Sequence, residues 1–224
     1  MFARDAVILA IDTATAIAGL ALYSERRVLA EETWHTRGNH TVELMPALIR
    51  MMERQNMKPG DLGGLAVSIG PGSFTGMRIG LAVAKGLAMS LNIPLVGIPT
   101  LDAAAYAHAS LRLPAWIVVE AGRGRYCAAM YGIQRGEWQR LTPYKIATLG
   151  DLAPDGHRKT LYCGELDSAA MEKLRETFAD LAILPTQAAI LRRPAFLAEL
   201  GWKRLVAGEQ DDIAALSPIY LQQA

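Results

Sequence analysis

Cysteine and histidine are scarce in this 224-residue chain. The two cysteines, Cys127 and Cys163, are too few for a disulfide framework, and the four histidines are scattered without metal-finger spacing. An excess of charge of either sign is also lacking: 23 basic residues oppose 22 acidic ones, for a net charge of +1. That excludes a strongly basic arm gripping nucleic acid by charge alone. No stretch approaches the roughly 20 apolar residues of a membrane span. The start, MFARDAVILAID, places Asp5 ahead of a very short apolar run, so no secretory leader is expected and a soluble cytoplasmic protein is. What remains is a globular composition, 51% hydrophobic, with enough core to exclude intrinsic disorder. The length allows one large domain or two small ones.

The apolar pattern opens with period two. Val7–Ile11 reads as a strand, Asp12-Thr13-Ala14-Thr15 as a polar turn, and Ile17–Tyr23 and Val28–Trp34 as two more strands of an antiparallel meander. The period then lengthens. Leu44, Leu48, Met51 and Gln55 fall on one side of a helix predicted over 41–55, and Pro46 predicts that it begins or bends there. Met57–Gly64 reads as a loop, Leu65–Ile69 as a strand, Gly70–Ser73 as a tight loop, Thr75–Leu91 as a helix and Leu95–Ile98 as a strand. Thr100 is the expected N-cap of a helix from Leu101 to about Leu111.

The opening pattern then returns. Trp116–Val119 is apolar, Glu120–Arg125 a polar turn, Tyr126–Ile133 a strand, and Trp138–Thr142 another after a second turn. A shift of about 108 residues lays Asp12 on Glu120 and Tyr23 on Tyr131, the mark of an internal duplication. A strand over 161–164, a helix over 168–178, a strand over 181–184 and a helix over 194–207 follow, with an extended tail over 217–222. Each half runs from meander to α/β alternation. That is the ribonuclease-H-like plan, present twice in actin-like ATPases and sugar kinases. The expected class is α/β with two lobes, 1–112 and 113–224, the last helix free to pack back on the first lobe.

Several residues are placed for chemistry. In actin-like enzymes the turn after the first strand holds the metal and phosphates of ATP, which makes Asp12, Thr13 and Thr15 candidates; the structural alternative is an Asx-type turn. Gly70-Pro-Gly-Ser-Phe-Thr-Gly-Met-Arg-Ile-Gly80 joins a strand to a helix but fits neither G-x-G-x-x-G nor the Walker pattern. Instead Gly76, Gly80, Ala84 and Ala88 recur every four residues, a bare helical stripe that lets another backbone approach closely, in the core or in a partner. Leu44 stands where a second metal-binding histidine would follow His40. Ser73 has no nucleophile motif around it. Asp12, Glu31, Glu32 and Glu120 could supply acids to a two-metal nuclease, but solvated or turn carboxylates are the simpler reading. Arg26-Arg27, Arg192-Arg193 and Lys203-Arg204, with Arg123 and Arg125, could form an RNA-facing patch or an ordinary solvated surface.

Taken together, Ile8–Thr15, Asn39-His40, Gly70–Gly80, Ala84–Ala88 and Pro218-Ile-Tyr-Leu221 resemble the bacterial TsaB family, also called YeaZ, over nearly the whole chain. The resemblance implies an actin-like fold and a role in adding threonylcarbamoyl to the adenosine beside the anticodon of certain tRNAs. It implies a non-catalytic dimerisation subunit that is a homodimer when alone, pairs with the catalytic paralogue TsaD, and is joined by the ATPase TsaE, reaching tRNA through the complex. It implies no intrinsic cofactor, no metal and no catalytic residue, with a place for ATP or ADP at the subunit junction. The family's interface is formed by the first two helices. Carried over, the interface residues are Leu44, Leu48, Met51, Gly76, Arg78, Gly80 and Ala84.

Three positions depart from the family. The H-x-x-x-H pair of the catalytic paralogue is halved at His40. Glu120-Ala121-Gly122 stands where Asp-Ala-Arg is common, and Gln222 where Arg is usual. The alternative reading is a stand-alone enzyme of the same fold, an ATP-dependent kinase using Asp12, Thr13 and Thr15, or a peptidase.

Overall fold

The computed structural model describes residues 2, 3, 5–25 and 27–221. The chain divides into two compact units. Of the described residues, the first comprises those up to Thr100 together with Arg193–Ile219; the second comprises Leu101–Arg192 with Tyr220 and Leu221. The sequence boundary after residue 112 therefore differs from the structural one, which leaves the last helix in the first unit.

In the first unit, β1 (Val7–Asp12), β2 (Ile17–Ser24) and β3 (Arg27–His35) form the antiparallel meander; β4 (Leu62–Ser68) and β5 (Leu95–Ile98) add to β1 in parallel, giving the order β3-β2-β1-β4-β5. Two helices, α1 (His40–Arg54) and α2 (Phe74–Leu91), are neighbours whose inner faces bury Leu44, Leu48, Met51, Leu81 and Ala84 in one core with Leu9, Ile11, Leu65 and Val67. Alternate strand residues point the other way. There Ala66 meets α6 (Pro194–Val206), where Gly201 is required because a Cβ would collide with that of Ala66.

The second unit repeats this plan. α3 (Thr100–Tyr106) leads from the first unit into it, and β6 (Ala115–Gly122), β7 (Arg125–Gln134), β8 (Glu137–Arg140), β9 (Lys145–Ala147), β10 (Thr160–Gly164) and β11 (Ala182–Ile183) follow. The sheet order is β11-β10-β6-β7-β8, with β9 also on β7. Reversed, this is the order of the first sheet with the same parallel and antiparallel pairings. The duplication is thus visible in topology. α4 (Ser168–Phe178), capped by the Asp167 carboxylate, and the short α5 (Gln187–Ile190) complete the unit, and Tyr162, Ile117, Leu174 and Trp116 share its core.

Four local expectations are corrected. β4 begins at Leu62 inside the expected loop, because Leu62 and Leu65 are both core residues. The helix expected to reach Leu111 ends at Tyr106, with a separate 3-10 turn over Ala109–Leu111. Thr100 is buried, and its hydroxyl accepts a hydrogen bond from the Gly70 N–H, so it ties the glycine-rich loop down. α1 begins at His40 rather than at Pro46, which lies inside the helix and faces solvent; the Val42 carbonyl loses its helical donor at an exposed position, where water can replace it. In the tail, Ile219 N–H reaches the Ile69 carbonyl, and Gln222 lies outside the described residues.

Candidate functional site: the turn after the first strand and the two helices on it

The β1–β2 turn is enclosed: Asp12 is 4%, Thr13 0% and Thr15 4% exposed. Its polar groups are engaged within the chain. The Ala14 N–H donates to Asp12 Oδ1 at 3.1 Å, and the Ile17 N–H to Thr15 Oγ1 at 3.1 Å. The Thr13 hydroxyl donates to the Gly76 carbonyl at 2.7 Å. The Ser73 N–H donates to the Ala14 carbonyl, and His40 Nε2 lies 2.9 Å from the Thr15 carbonyl, which accepts from the ring.

Glycine at 72, 76 and 80 is explained by the same turn. A Cβ at Gly72 would collide with the Ala14 carbonyl oxygen, at Gly76 with the Thr13 carbonyl oxygen, and at Gly80 with the Thr13 hydroxyl. The bare stripe seats the backbone of α2 directly on the turn. Ser73 caps this helix, its hydroxyl accepting from the Gly76 N–H at 3.2 Å.

The fold family implies ATP at this turn. A phosphate needs backbone N–H groups and hydroxyls facing an open concavity. Here the Thr13 and Thr15 hydroxyls and the Ala14 N–H are bonded within the chain in a buried turn, and α2 lies on it. As folded, the turn presents no open phosphate cradle. Among the described residues no three His, Cys, Asp or Glu side chains converge to hold a metal ion.

The interface residues carried over from the family divide sharply. Leu44, Leu48 and Met51 are 1–3% exposed, Gly76 and Gly80 face Thr13, and Ala84 is buried in the core. Burying a Leu or Met side chain is worth about 1.5–3 kcal/mol, so the core retains them. These six residues therefore seat the helices within the chain and are not a surface. Arg78 alone of the seven is exposed, its guanidinium 3.7 Å above the Phe74 ring. The outward faces carry different apolar residues: Val42, Met45 and Ile49 on α1, at spacings of three and four, and Phe74 and Met89 on α2.

At the start of α1, Glu43 Oε2 accepts from the Trp34 indole at 3.0 Å. Hydrogen bonds from the Thr36 hydroxyl, then from Trp34, hold its carboxyl below the usual carboxylate range. The Arg192-Arg193 and Lys203-Arg204 pairs are engaged within the chain. Arg192 bonds Glu165 at 2.8 Å, Arg193 bonds Glu31, Lys203 bonds Glu199, and Arg204 bonds Glu209 and Asp211. Arg26 lies outside the described residues; Arg123 and Arg125 sit at the β6–β7 hairpin. Glu31 accepts from the Ala195 N–H at the start of α6, a structural task that removes it from a nuclease site.

Comparison with known proteins agrees with this architecture. The sequence family described as TsaD: tRNA N6-adenosine threonylcarbamoyltransferase matches residues 27–217. A Bacillus subtilis (strain 168) protein, tRNA threonylcarbamoyladenosine biosynthesis protein TsaB, is 32% identical over 220 residues, spanning 97% of this chain and 94% of its own length. The chain belongs to the TsaB family.

Solved structures agree on the fold. YeaZ from Pseudomonas aeruginosa superposes with a TM-score of 0.79 at 22% identity, covering 96% of this chain and all of its own. The crystal structure of an uncharacterized protein with similarity to peptidase YEAZ, from the same organism, gives 0.80 at 21% identity over 97% and 100%. The fold is the actin-like one, two ribonuclease-H-like lobes. No helix among the described residues is long and apolar enough to cross a membrane. The surface apolar stripe of α1 is the feature that sequence reasoning missed. Its signal was present as Val42, Met45 and Ile49, but α1 carries apolar residues on two faces, and only the packing says which is inside.

Proposed function

We propose that this chain is the non-catalytic scaffold subunit of the system that transfers threonylcarbamoyl to the adenosine next to the tRNA anticodon. It acts by binding the catalytic paralogue, a TsaD protein, through the outward faces of α1 and α2. Alone it pairs with itself through the same faces, so the homodimer and the heterodimer compete; TsaE joins the heterodimer, and tRNA is reached through the assembly.

Kinship with a TsaB protein along its whole length supports the pathway. The observation that carries the scaffold role is the exposed apolar stripe Val42-Met45-Ile49 on α1, with Phe74 and Met89 exposed on the neighbouring helix α2. Exposed apolar residues grouped in this way mark an interaction surface, and methionine adapts to more than one partner. The enclosed Asp12–Thr15 turn speaks against the stand-alone kinase. Light scattering of the purified chain, alone and mixed with its TsaD partner, tests the reading. Conversion of a homodimer to a one-to-one heterodimer that restores transfer activity supports it; a chain indifferent to the partner, with turnover of its own, overturns it.

A further inference from the structure

The turn that presents no open phosphate cradle is in contact with both helices of the proposed interface. From α1, His40 reaches the Thr15 carbonyl at 2.9 Å. From α2, the Gly76 carbonyl takes the Thr13 hydroxyl at 2.7 Å, while the Ser73 N–H at the helix start takes the Ala14 carbonyl. The carbonyls of Thr13, Ala14 and Thr15 are thus each met by one of these elements, through a hydrogen bond or, at Thr13, through van der Waals contact with Gly76. His40 and Thr13 are 6% and 0% exposed, so both act from inside the fold. Their bonds are short, buried and specific in direction, which makes them able to fix position.

We infer that Thr13 and His40 are positioning residues for partner recognition. The Asp12–Thr15 turn acts as a common anchor that sets where α1 and α2 lie relative to one another, and thereby aligns Val42 and Ile49 with Phe74 and Met89. This rests on the scaffold reading. Its mechanism is rigid: each helix has its own core contacts, and the turn is bonded to the starts of both. Loosening one bond lets one helix start drift without emptying the core, so association suffers before the fold does.

The test measures the dissociation constant for the TsaD partner and amide hydrogen exchange in residues 40–54 and 74–91. Thr13→Val removes one bond at nearly constant volume, and His40→Phe removes the other while keeping a flat ring of somewhat larger size. Both are expected to weaken association at least tenfold with an unchanged far-ultraviolet spectrum, and to speed exchange in the first turns of the affected helix. Thr13→Ser and His40→Gln, which keep a donor, are expected to return the affinity to within about threefold. Ile49→Arg, which alters the surface, abolishes association without changing exchange. Thr13→Val and His40→Phe proteins that bind within twofold of the native chain while Ile49→Arg still fails overturn the anchor and leave the scaffold intact. A native chain that does not associate overturns the scaffold itself. Should Thr13→Val not fold, exchange in the native chain decides: Leu44 and Met77 amides opening with one shared protection support the anchor, and a hundredfold difference between them contradicts it.

Discussion

The hydroxyl of Thr13 donates to the carbonyl of Gly76 across 63 positions of sequence and 2.7 Å of space. That bond is possible because Gly76 has no side chain: the helix backbone itself lies against the turn. A glycine inside a helix costs about 1 kcal/mol relative to alanine, and here the close approach offsets it.

Two glycines of α2 should therefore respond oppositely to alanine. Gly76→Ala drives a methyl into the Thr13 carbonyl and is expected to destabilise by about 1–3 kcal/mol despite the better helix propensity. Gly86 has nothing within 4 Å of its Cβ position, so Gly86→Ala is expected to stabilise by about 0.5–1 kcal/mol. Urea denaturation of the two variants checks both signs.

The two faces of α1 should separate stability from association. Leu48→Ala removes a core side chain and is expected to cost about 2–5 kcal/mol. Ile49→Arg, one residue on and 52% exposed, should change stability by less than about 0.5 kcal/mol and abolish association. Calorimetry paired with sedimentation distinguishes them.

Acid should loosen the start of α1. The Glu43 carboxyl is lowered from its usual 4.5 by hydrogen bonds from Thr36 and Trp34. A depressed carboxylate contributes stability fully present above its unfolded value and lost as pH falls through the folded one. The Trp34 indole signal is expected to hold from neutral pH down to about that value and to change below it. In Glu43→Gln the acid transition at Trp34 should vanish, as followed by fluorescence against a Trp34→Phe control.

The cysteines should be silent. Burial pushes the Cys127 thiol up to about 11 and the Cys163 thiol up to about 12. Since the thiolate is the nucleophile, neither should react with a disulfide reagent at pH 8 until the protein unfolds. As pH rises above 9 the unfolded chain ionises its thiols first, so native stability should fall there. Reagent uptake in native protein within the mixing time would contradict this.

Breaking Arg192–Glu165 should hurt far more than breaking Arg193–Glu31. The Arg192 side chain is 4% exposed and that of Arg193 52%. Removing one member of a buried pair costs about 3–5 kcal/mol, whereas exposed pairs contribute about 0–1 kcal/mol. Arg192→Ala and Arg193→Ala melting curves should differ accordingly.

Much of the fold was legible in the sequence because periodicity reports burial. The meander, the helices over 41–55 and 75–91 and the repeat of Asp12 at Glu120 all rest on patterns two, four or 108 residues long. The site was legible only in part. A stripe such as Gly76, Gly80, Ala84 and Ala88 announces close approach but not what approaches, and what approaches near its start is the chain's own Thr13. Thr100 likewise reads as a cap, and only the folded loop shows its hydroxyl taken by Gly70, 30 positions away. The isolated pairs of basic residues gave no hint that a carboxylate stood opposite each of Arg192, Arg193, Lys203 and Arg204.

The central claim is that the outward face of α1 and α2 binds the catalytic paralogue. Size-exclusion chromatography with light scattering on the native chain and on Ile49→Arg, each with and without the TsaD partner, tests it most directly. The account predicts a native homodimer that converts to a one-to-one heterodimer, and a folded Ile49→Arg monomer that does neither. An Ile49→Arg protein that still forms the heterodimer, or a native chain that never does, would contradict it.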